Sequence, residues 1–255
     1  MKEINDLISD TLLEVWNNEI LKKNQASTPN QPQPQAFVLG GQPGAGKSSM
    51  TQDIRKNINQ NVIMINGDDF RKYHPEYRSL QKEQGQDAPK YTAEFAGKMT
   101  EAILKKAIDE KYNIIIEGTF RTSETPIKTL QHFKDNGYKT HVLIQTCHQA
   151  ISWQTCLDRY EKMLHDNPKE ARFTDKKHHD VVVQNLAKNI QEVQKSGLVD
   201  HMQIFARTLV KGTENEFHQK EIYNSNSNKA VNIATINKYL MGEKKEITQA
   251  QGLFF

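Results

Sequence analysis

The run AFVLGGQPGAGKSSM, Ala36 to Met50, constrains this chain more than any other stretch. An apolar segment ends in two glycines, and Gly41, Gln42, Pro43, Gly44, Ala45, Gly46, Lys47 and Ser48 satisfy the spacing GxxxxGK[ST]. Glycines at these positions let successive backbone N–H groups turn inward around an anion, which a Cβ would hinder. Lys47 then reaches the outer phosphates of a nucleotide, and the Ser48 hydroxyl meets Mg²⁺. The helix opening at Gly46 adds its positive N-terminal dipole, with Ser49 in its first turn. A strand before the loop and a helical period after it are the context that separates such a loop from a glycine-rich turn. The stretch therefore predicts binding of nucleotide phosphates together with Mg²⁺.

The rest of the chain repeats the alternation that this loop demands. Short apolar runs at Ala36 (AFVLG), Val62 (VIMIN), Asn113 (NIIIEG) and Thr140 (THVLIQT) predict strands. Amphipathic stretches at Gly46 to Asn57, Thr92 to Glu110, Pro126 to Asn136 and His148 to Asp166 predict helices. Continuous apolar strands separated by helices imply an α/β fold, a phosphate-loop NTPase type of parallel sheet covered on both faces. A helix with Ile4, Leu7, Ile8, Leu12, Val15 and Ile20 on one face precedes it, and the polar, proline-bearing Asn24 to Gln35 predicts a solvated linker. Later come a helix from Lys176 to Lys195, an apolar run MQIFA at Met202, a polar region at Asn224 to Asn228 and a last helix from Ile233 to Met241. The expected division is an N-terminal helix over 1–24, a linker over 25–35, a core over 36–242 and a tail over 243–255, whose sequence has no defensible period.

Several function classes fall away on composition. Lys and Arg total 34 against 31 for Asp and Glu, a formal charge of +3, so no basic coat for nucleic acid is present. No run approaches the roughly 18 apolar residues that cross a bilayer. The N-terminus carries acids among its apolar positions, unlike a secretory signal, and a cytoplasmic chain without membrane association is expected. Cys147 and Cys156 lack CxxC spacing, which points to two ordinary thiols rather than a disulfide or zinc framework.

The loop alone leaves the phosphate acceptor open between water, a protein and a small-molecule hydroxyl. Transfer to a hydroxyl needs a carboxylate that orients it and takes its proton, placed at the C-terminal end of a strand beside the loop. Asp68 and Asp69 follow the strand VIMIN, and Gly67 permits a turn that aims Asp68 at the phosphates. Glu117 closes the next strand, where the second acid of phosphate-loop enzymes serves Mg²⁺ through water. Arg121 follows it, and Arg159 and Arg172 flank the break at Asn167-Pro168, positions from which guanidiniums offset charge on a phosphoryl group in flight. No NKxD motif for reading a guanine base occurs, which lowers the switch reading.

The constellation as a whole resembles the zeta toxin family, bacterial phosphate-loop kinases paired with epsilon-type antitoxins. The matching stretches are LGGQPGAGKSS, NVIMINGDDFRKYHPEY, FAGKMTEAI, YNIIIEGTFRT, PIKTLQHFKDNGY, DRYEKM, NPKEARFT and HHDVVVQNL, in family order from about Ala36 to about Arg207. The resemblance implies an ATP-dependent kinase acting on the 3′-hydroxyl of the amino sugar in UDP-N-acetylglucosamine, with peptidoglycan synthesis as the process blocked. It implies that Lys47 and Ser48 hold phosphates and Mg²⁺, that Asp68 is the base, and that Glu117 is the metal-side acid. It further implies that Glu101, Thr119, Arg121 and Thr129 contact the sugar nucleotide, and that Arg159 and Arg172 meet the transferring phosphate. Two departures from the family pattern stand out: the extra acid Asp69, which bears on metal or substrate binding, and Phe120, which puts a bulky ring inside the substrate loop.

Two other readings compete with this one. A kinase for other UDP-sugars, or for an antibiotic or nucleoside hydroxyl, would use the same base and loop. An ATP-holding module that sequesters a partner would need neither Asp68 nor the arginines. The N-terminal helix is expected to be scaffold rather than a self-inhibitory element.

Overall fold

The computed structural model describes residues 3–168, 171–210, 216–227 and 229–242. Helix α1 (Ile4–Val15) runs directly into a π-helical turn, Trp16–Leu21, and the two bury Ile8, Val15, Trp16 and Ile20 against the core. Segment 22–34 leads to β1 (Gln35–Gly40) and is docked, in contrast to the solvated linker expected from its composition. Asn30 N–H donates to Glu110 O at 2.8 Å, Gln31 N–H to Lys111 O at 3.0 Å, and Pro34 O accepts from Lys139 N at 2.9 Å. The three prolines in this stretch lack an N–H, but the residues between them keep theirs and pair with carbonyls that a helix end leaves free.

After β1 come α2 (Ser48–Asn57), β2 (Ile63–Ile65), a 3₁₀ segment Gly67–Tyr73, α3 (Tyr77–Gln84), α4 (Ala88–Tyr91) and α5 (Ala93–Asp109). There follow β3 (Ile114–Glu117), α6 (Glu124–Asp135), β4 (Lys139–Cys147), α7 (Gln149–Asp166) and α8 (Lys176–Lys195). The described chain closes with β5 (His201–Leu209), β6 (Phe217–Asn224) and α9 (Ile233–Met241). The expected strands and long helices all occur. Strand β6 and the short helices α3 and α4 are additions that the sequence did not announce, because β6 alternates weakly and carries charges on an edge. The tail 243–255 lies outside the described residues.

The sheet order is β2-β3-β1-β4-β5-β6, with the first five strands parallel and β6 antiparallel to β5. One face packs a large cluster that includes Val38, Ile65, Phe95, Ile103, Phe133 and Ile190. The other packs Phe37, Leu39 and Ile115 against Met50 and Ile54 of α2. At the lower edge Asn113 joins three segments, donating to Asn61 O and accepting from Gln35 N, each at 2.9 Å. Because Leu39 is in register with Glu117, the loops after β1, β2 and β3 leave the sheet on the same edge. Ligands of open parallel sheets sit at that edge.

Candidate active site

Gly41, Gly44 and Gly46 adopt φ of 134°, 78° and 91°, all in the region that L side chains rarely enter. A Cβ on Gly41 would stand 2.0 Å from Gln145 O, and one on Gly44 2.0 Å from Ser152 O, so the loop lies directly against β4 and α7. Gln42 is fully buried and fastens the loop's side by donating to Cys147 O at 2.6 Å. Ala45 N–H closes the turn onto Gln42 O at 3.2 Å. Pro43 and Ser48 ride the loop without a side-chain hydrogen bond among the described residues, and Ser49 Oγ donates to Gly46 O at 3.0 Å. Both serines are exposed at the first turn of α2, open to a ligand.

Lys47 is buried, and its ammonium donates to Gly41 O at 3.1 Å and Gln42 O at 3.3 Å. Glu117 Oε1 stands 3.6 Å from the same nitrogen, brought there by the β1–β3 register. A phosphate entering the loop would take the ammonium's hydrogen bonds from carbonyls that are its weaker partners. The set of loop N–H groups, a lysine, the Ser48 hydroxyl and the Glu117 carboxylate fits a nucleotide with Mg²⁺, a hard cation that prefers oxygen donors and retains waters. Cys147 and Cys156 are buried free thiols, and burial pushes the Cys147 thiol up to about 11, which makes it unreactive.

Asp68 opens the 3₁₀ segment, its N–H accepted by Asn66 Oδ1 at 3.1 Å. Gly67 in front of it lies close to α5: a Cβ there would meet Thr100 Oγ1 at 2.7 Å, so that hydroxyl would have to move. The carboxylate keeps 54% of its surface open at the cleft mouth. Arg71 Nε donates to Oδ1 at 2.8 Å, and Arg172 Nη1 is 3.7 Å from Oδ2. Surrounding protein desolvates the carboxyl and pushes its pKa up, but Arg172, Arg71 and Arg159 outweigh that and hold it below the ordinary range. Arg71 was not singled out in the sequence. It sits one 3₁₀ turn after Asp68 and also donates to Pro89 O at 2.6 Å and Thr92 Oγ1 at 3.0 Å, which fixes the carboxylate's direction.

Arg159 on α7 donates to Thr174 Oγ1 at 3.0 Å, tying the helix to the segment that carries Arg172. Arg172 is the nearer of the two to Asp68, and the Arg159 charge also helps to hold that carboxyl down. Thr119 and the exposed Arg121 lie on the loop after β3, held by Asn189, which donates to Phe120 O and Arg121 O at 2.9 and 2.8 Å. Arg121 is near enough to the half-buried His178 to help burial push that imidazole down.

Phe120 corrects one expectation. Its φ of 56° turns the ring inward, where it is 4% exposed and packs on Gly40, so it occupies core rather than the substrate loop. Asp69 also points elsewhere, 3.9 Å from Lys23 at the end of the N-terminal helical segment. Glu101 on α5 and Thr129 on α6 are surface residues of adjacent helices. Glu101 Oε1 stands 3.8 Å from Lys128, and Thr129 donates to Thr125 O at 3.0 Å. Neither bonds to Asp68, Lys47 or Glu117 among the described residues. Arg207, at the end of β5, is a further cation the sequence did not single out. It donates to Thr155 Oγ1 at 3.3 Å, lies 4.0 Å over the Phe217 ring and abuts Gly46.

This loop, the Asp68 cluster and the sheet order have counterparts among known proteins. The family model described as Zeta toxin matches residues 17–228. The chain belongs to the zeta toxin family. It is 35% identical to "Toxin PezT" of Streptococcus pneumoniae serotype 4 over 215 residues, 84% of this chain and 81% of the relative. It is 37% identical to "Toxin zeta" of Streptococcus agalactiae over 195 residues, 76% of this chain and 67% of that one. The solved structure from a study of the PezAT chromosomal toxin-antitoxin system of S. pneumoniae superposes with a TM-score of 0.74 at 28% identity, covering 98% of this chain and 93% of that one. As a zeta toxin family chain it has the phosphate-loop kinase architecture, and the matched region extends upstream of β1 into the π-helical turn. No helix among the described residues is long and apolar enough to cross a membrane.

Proposed function

We propose that this zeta toxin family kinase transfers the γ-phosphoryl group of ATP to the 3′-hydroxyl of the amino sugar in UDP-N-acetylglucosamine, and thereby blocks peptidoglycan synthesis. The observation that carries the reading is the Asp68 carboxylate, held ionised by Arg71 and Arg172, together with a loop lysine whose partners among the described residues are backbone carbonyls and Glu117. A module that merely held ATP would have no use for an exposed carboxylate kept ionised by two arginines.

In this reading the ATP phosphates lie along Gly41–Ser49, with Lys47 moving from the loop carbonyls to the outer phosphates. Asp68 orients the sugar hydroxyl in line and accepts its proton as the O–P bond forms and ADP leaves. A carboxylate with a lowered pKa is a weak base, which suits a loose transition state in which the hydroxyl's proton leaves late. Arg159 and Arg172 offset charge on the equatorial oxygens. Mg²⁺, near Ser48 and Glu117, would neutralise the β- and γ-phosphates. Thr119, Arg121, Glu101 and Thr129 would line the sugar-nucleotide side. An epsilon-type antitoxin is the proposed partner, supported by the toxin–antitoxin system named for the structural relative, and the cytoplasm is the proposed compartment.

The test is a mass-spectrometric acceptor screen with Mg²⁺, ATP and an equimolar mixture of UDP-sugars, run beside Asp68→Asn. One phosphate gained on UDP-N-acetylglucosamine, and absent with the variant, supports substrate and base together. Phosphate on another UDP-sugar moves the acceptor, and ATP loss without any phosphorylated sugar overturns the acceptor class.

A further inference from the structure

We infer that Glu19, in the π-helical turn of the N-terminal segment, is the positioning residue for the base-bearing segment Gly67–Tyr73. The inference rests on reading Asp68 as the acceptor-side base. Four observations converge on it. The turn Trp16–Leu21 is π-helical, a widened geometry that presents Trp16, Glu19 and Ile20 together to the interior. Glu19 is 5% exposed, a carboxylate that survives burial only with partners. Those partners include Lys72, whose ammonium is 2.7 Å from Oε1, and Tyr73, whose hydroxyl donates to Oε1 at 2.9 Å. Both belong to the seven-residue segment that begins Gly67-Asp68. Lys23, which pairs with Glu19 one turn later, also reaches Asp69 at 3.9 Å.

A 3₁₀ helix of seven residues is a poor holder of geometry, since its hydrogen bonds are bent and runs longer than three or four residues are uncommon. Its position is therefore set by what it touches. On the cleft side Arg71 fastens it to Pro89 and Thr92. Phe70 is buried beneath it. On the far side the fastening is Glu19. Burial pushes the Glu19 carboxyl up, but Lys23, Lys72 and Tyr73 outweigh it and keep the group ionised. Removing the charge would leave the Lys72 ammonium without its counter-ion and the Tyr73 hydroxyl with a weaker, neutral acceptor, and so loosen the segment's hold. Asp68 would then move relative to the phosphate, and misplacement of a reacting group by about 1 Å lowers rate on the order of 100-fold. Through Glu19 the N-terminal segment is thus part of the acceptor site's support, while its link to the helix after the phosphate loop runs separately, from Arg55 to Asn24 Oδ1 at 2.5 Å.

The test compares wild type with Glu19→Gln, Glu19→Asp, Tyr73→Phe and Lys72→Met, using ATP affinity by calorimetry, sugar-nucleotide kinetics and amide hydrogen exchange. Glu19→Gln is expected to lower kcat/KM for UDP-N-acetylglucosamine about 10- to 100-fold. ATP affinity should stay within about twofold, and exchange should quicken over 67–73 but not over 41–48. Glu19→Asp, which keeps the charge, should recover much of the rate. A rate within about twofold of wild type for Glu19→Gln overturns the inference, as does a rate loss matched by lost ATP affinity and faster exchange throughout the chain. If Glu19→Gln does not fold, Tyr73→Phe and Lys72→Met carry the same comparison through milder changes. Should wild type phosphorylate no UDP-sugar, the proposed function falls, and hydrogen exchange over 67–73 still decides whether Glu19 holds the segment.

Discussion

Gly41→Ala is the most direct test of the loop geometry. The added Cβ would sit 2.0 Å from Gln145 O, and ordinary contact begins at 3.4 Å, so loop and strand must separate by about 1.4 Å. Gln145 cannot yield cheaply, because β4 is paired along its length with β1 and β5. Overpacking of this kind costs about 1–3 kcal/mol, and holding alanine at φ of 134° costs a further ~1–3 kcal/mol. Together these remove about 2–6 kcal/mol from a stability of roughly 5–15 kcal/mol. At about 2–4 °C per kcal/mol, melting should fall by roughly 4–24 °C. Gly97→Ala, in α5 with open space around its Cβ position and an ordinary φ, is the matched control and should gain about 0.5–1 kcal/mol from helix propensity. Scanning calorimetry reads both, and titration calorimetry with ATP should show Gly41→Ala binding at least about tenfold more weakly, since the displaced N–H groups no longer converge on phosphate. If Gly41→Ala melts within about 2 °C of wild type and binds ATP equally, the tight seating of the loop on β4 is refuted.

Lys47→Ala should abolish phosphoryl transfer, by about 1,000-fold or more, with the melting temperature changed by only a few degrees; retained activity would remove the lysine from the chemistry. Arg71→Met should raise the Asp68 pKa, because a favourable neighbour of the ionised form is lost while its desolvation stays; the acid limb of the pH–rate profile should move to higher pH, and an unmoved limb would detach Arg71 from Asp68. His141, stacked on Phe37, is pushed by burial, with His201 and Lys139 adding, from 6.5 down to about 4. Between those values the unfolded chain binds a proton that the native histidine refuses, so stability falls as pH drops from about 6.5 to about 4. In His141→Phe that part of the acid loss should vanish, as urea titrations at pH 7 and pH 5 would show, and an unchanged pH dependence would contradict it.

The core strands were legible because a strand buried on both faces must be a continuous apolar run, and such runs are hard to mistake when helices separate them. The phosphate loop was legible because its chemistry needs glycine for backbone reasons that leave no substitute. Arg71 was hidden because one arginine in a turn rich in charge looks solvated until Pro89 and Thr92 are seen to receive it. Phe120 was misread for the opposite reason. Its neighbours Thr119 and Arg121 are half-buried and exposed, and only the structure shows the ring, at a left-handed backbone position, packed in the core. Glu19 gave no signal at all, since an acid in an amphipathic N-terminal helix reads as part of the wet face.

By itself the amino-acid sequence determined the α/β architecture, the phosphate loop from Gly41 to Ser48 and the acids after β2 and β3, all of which follow from local pattern and from spacing within single loops. Tertiary structure alone decided how those acids are held: Lys47 against Glu117 through the register of β1 with β3, and Asp68 between Arg71 and Arg172 across the cleft. It alone placed Glu19 beneath Lys72 and Tyr73, more than fifty residues away. The physical reason is that hydropathy and turn chemistry act between neighbours in the chain, whereas a buried charge is satisfied by whichever opposite charge the fold brings within about 4 Å.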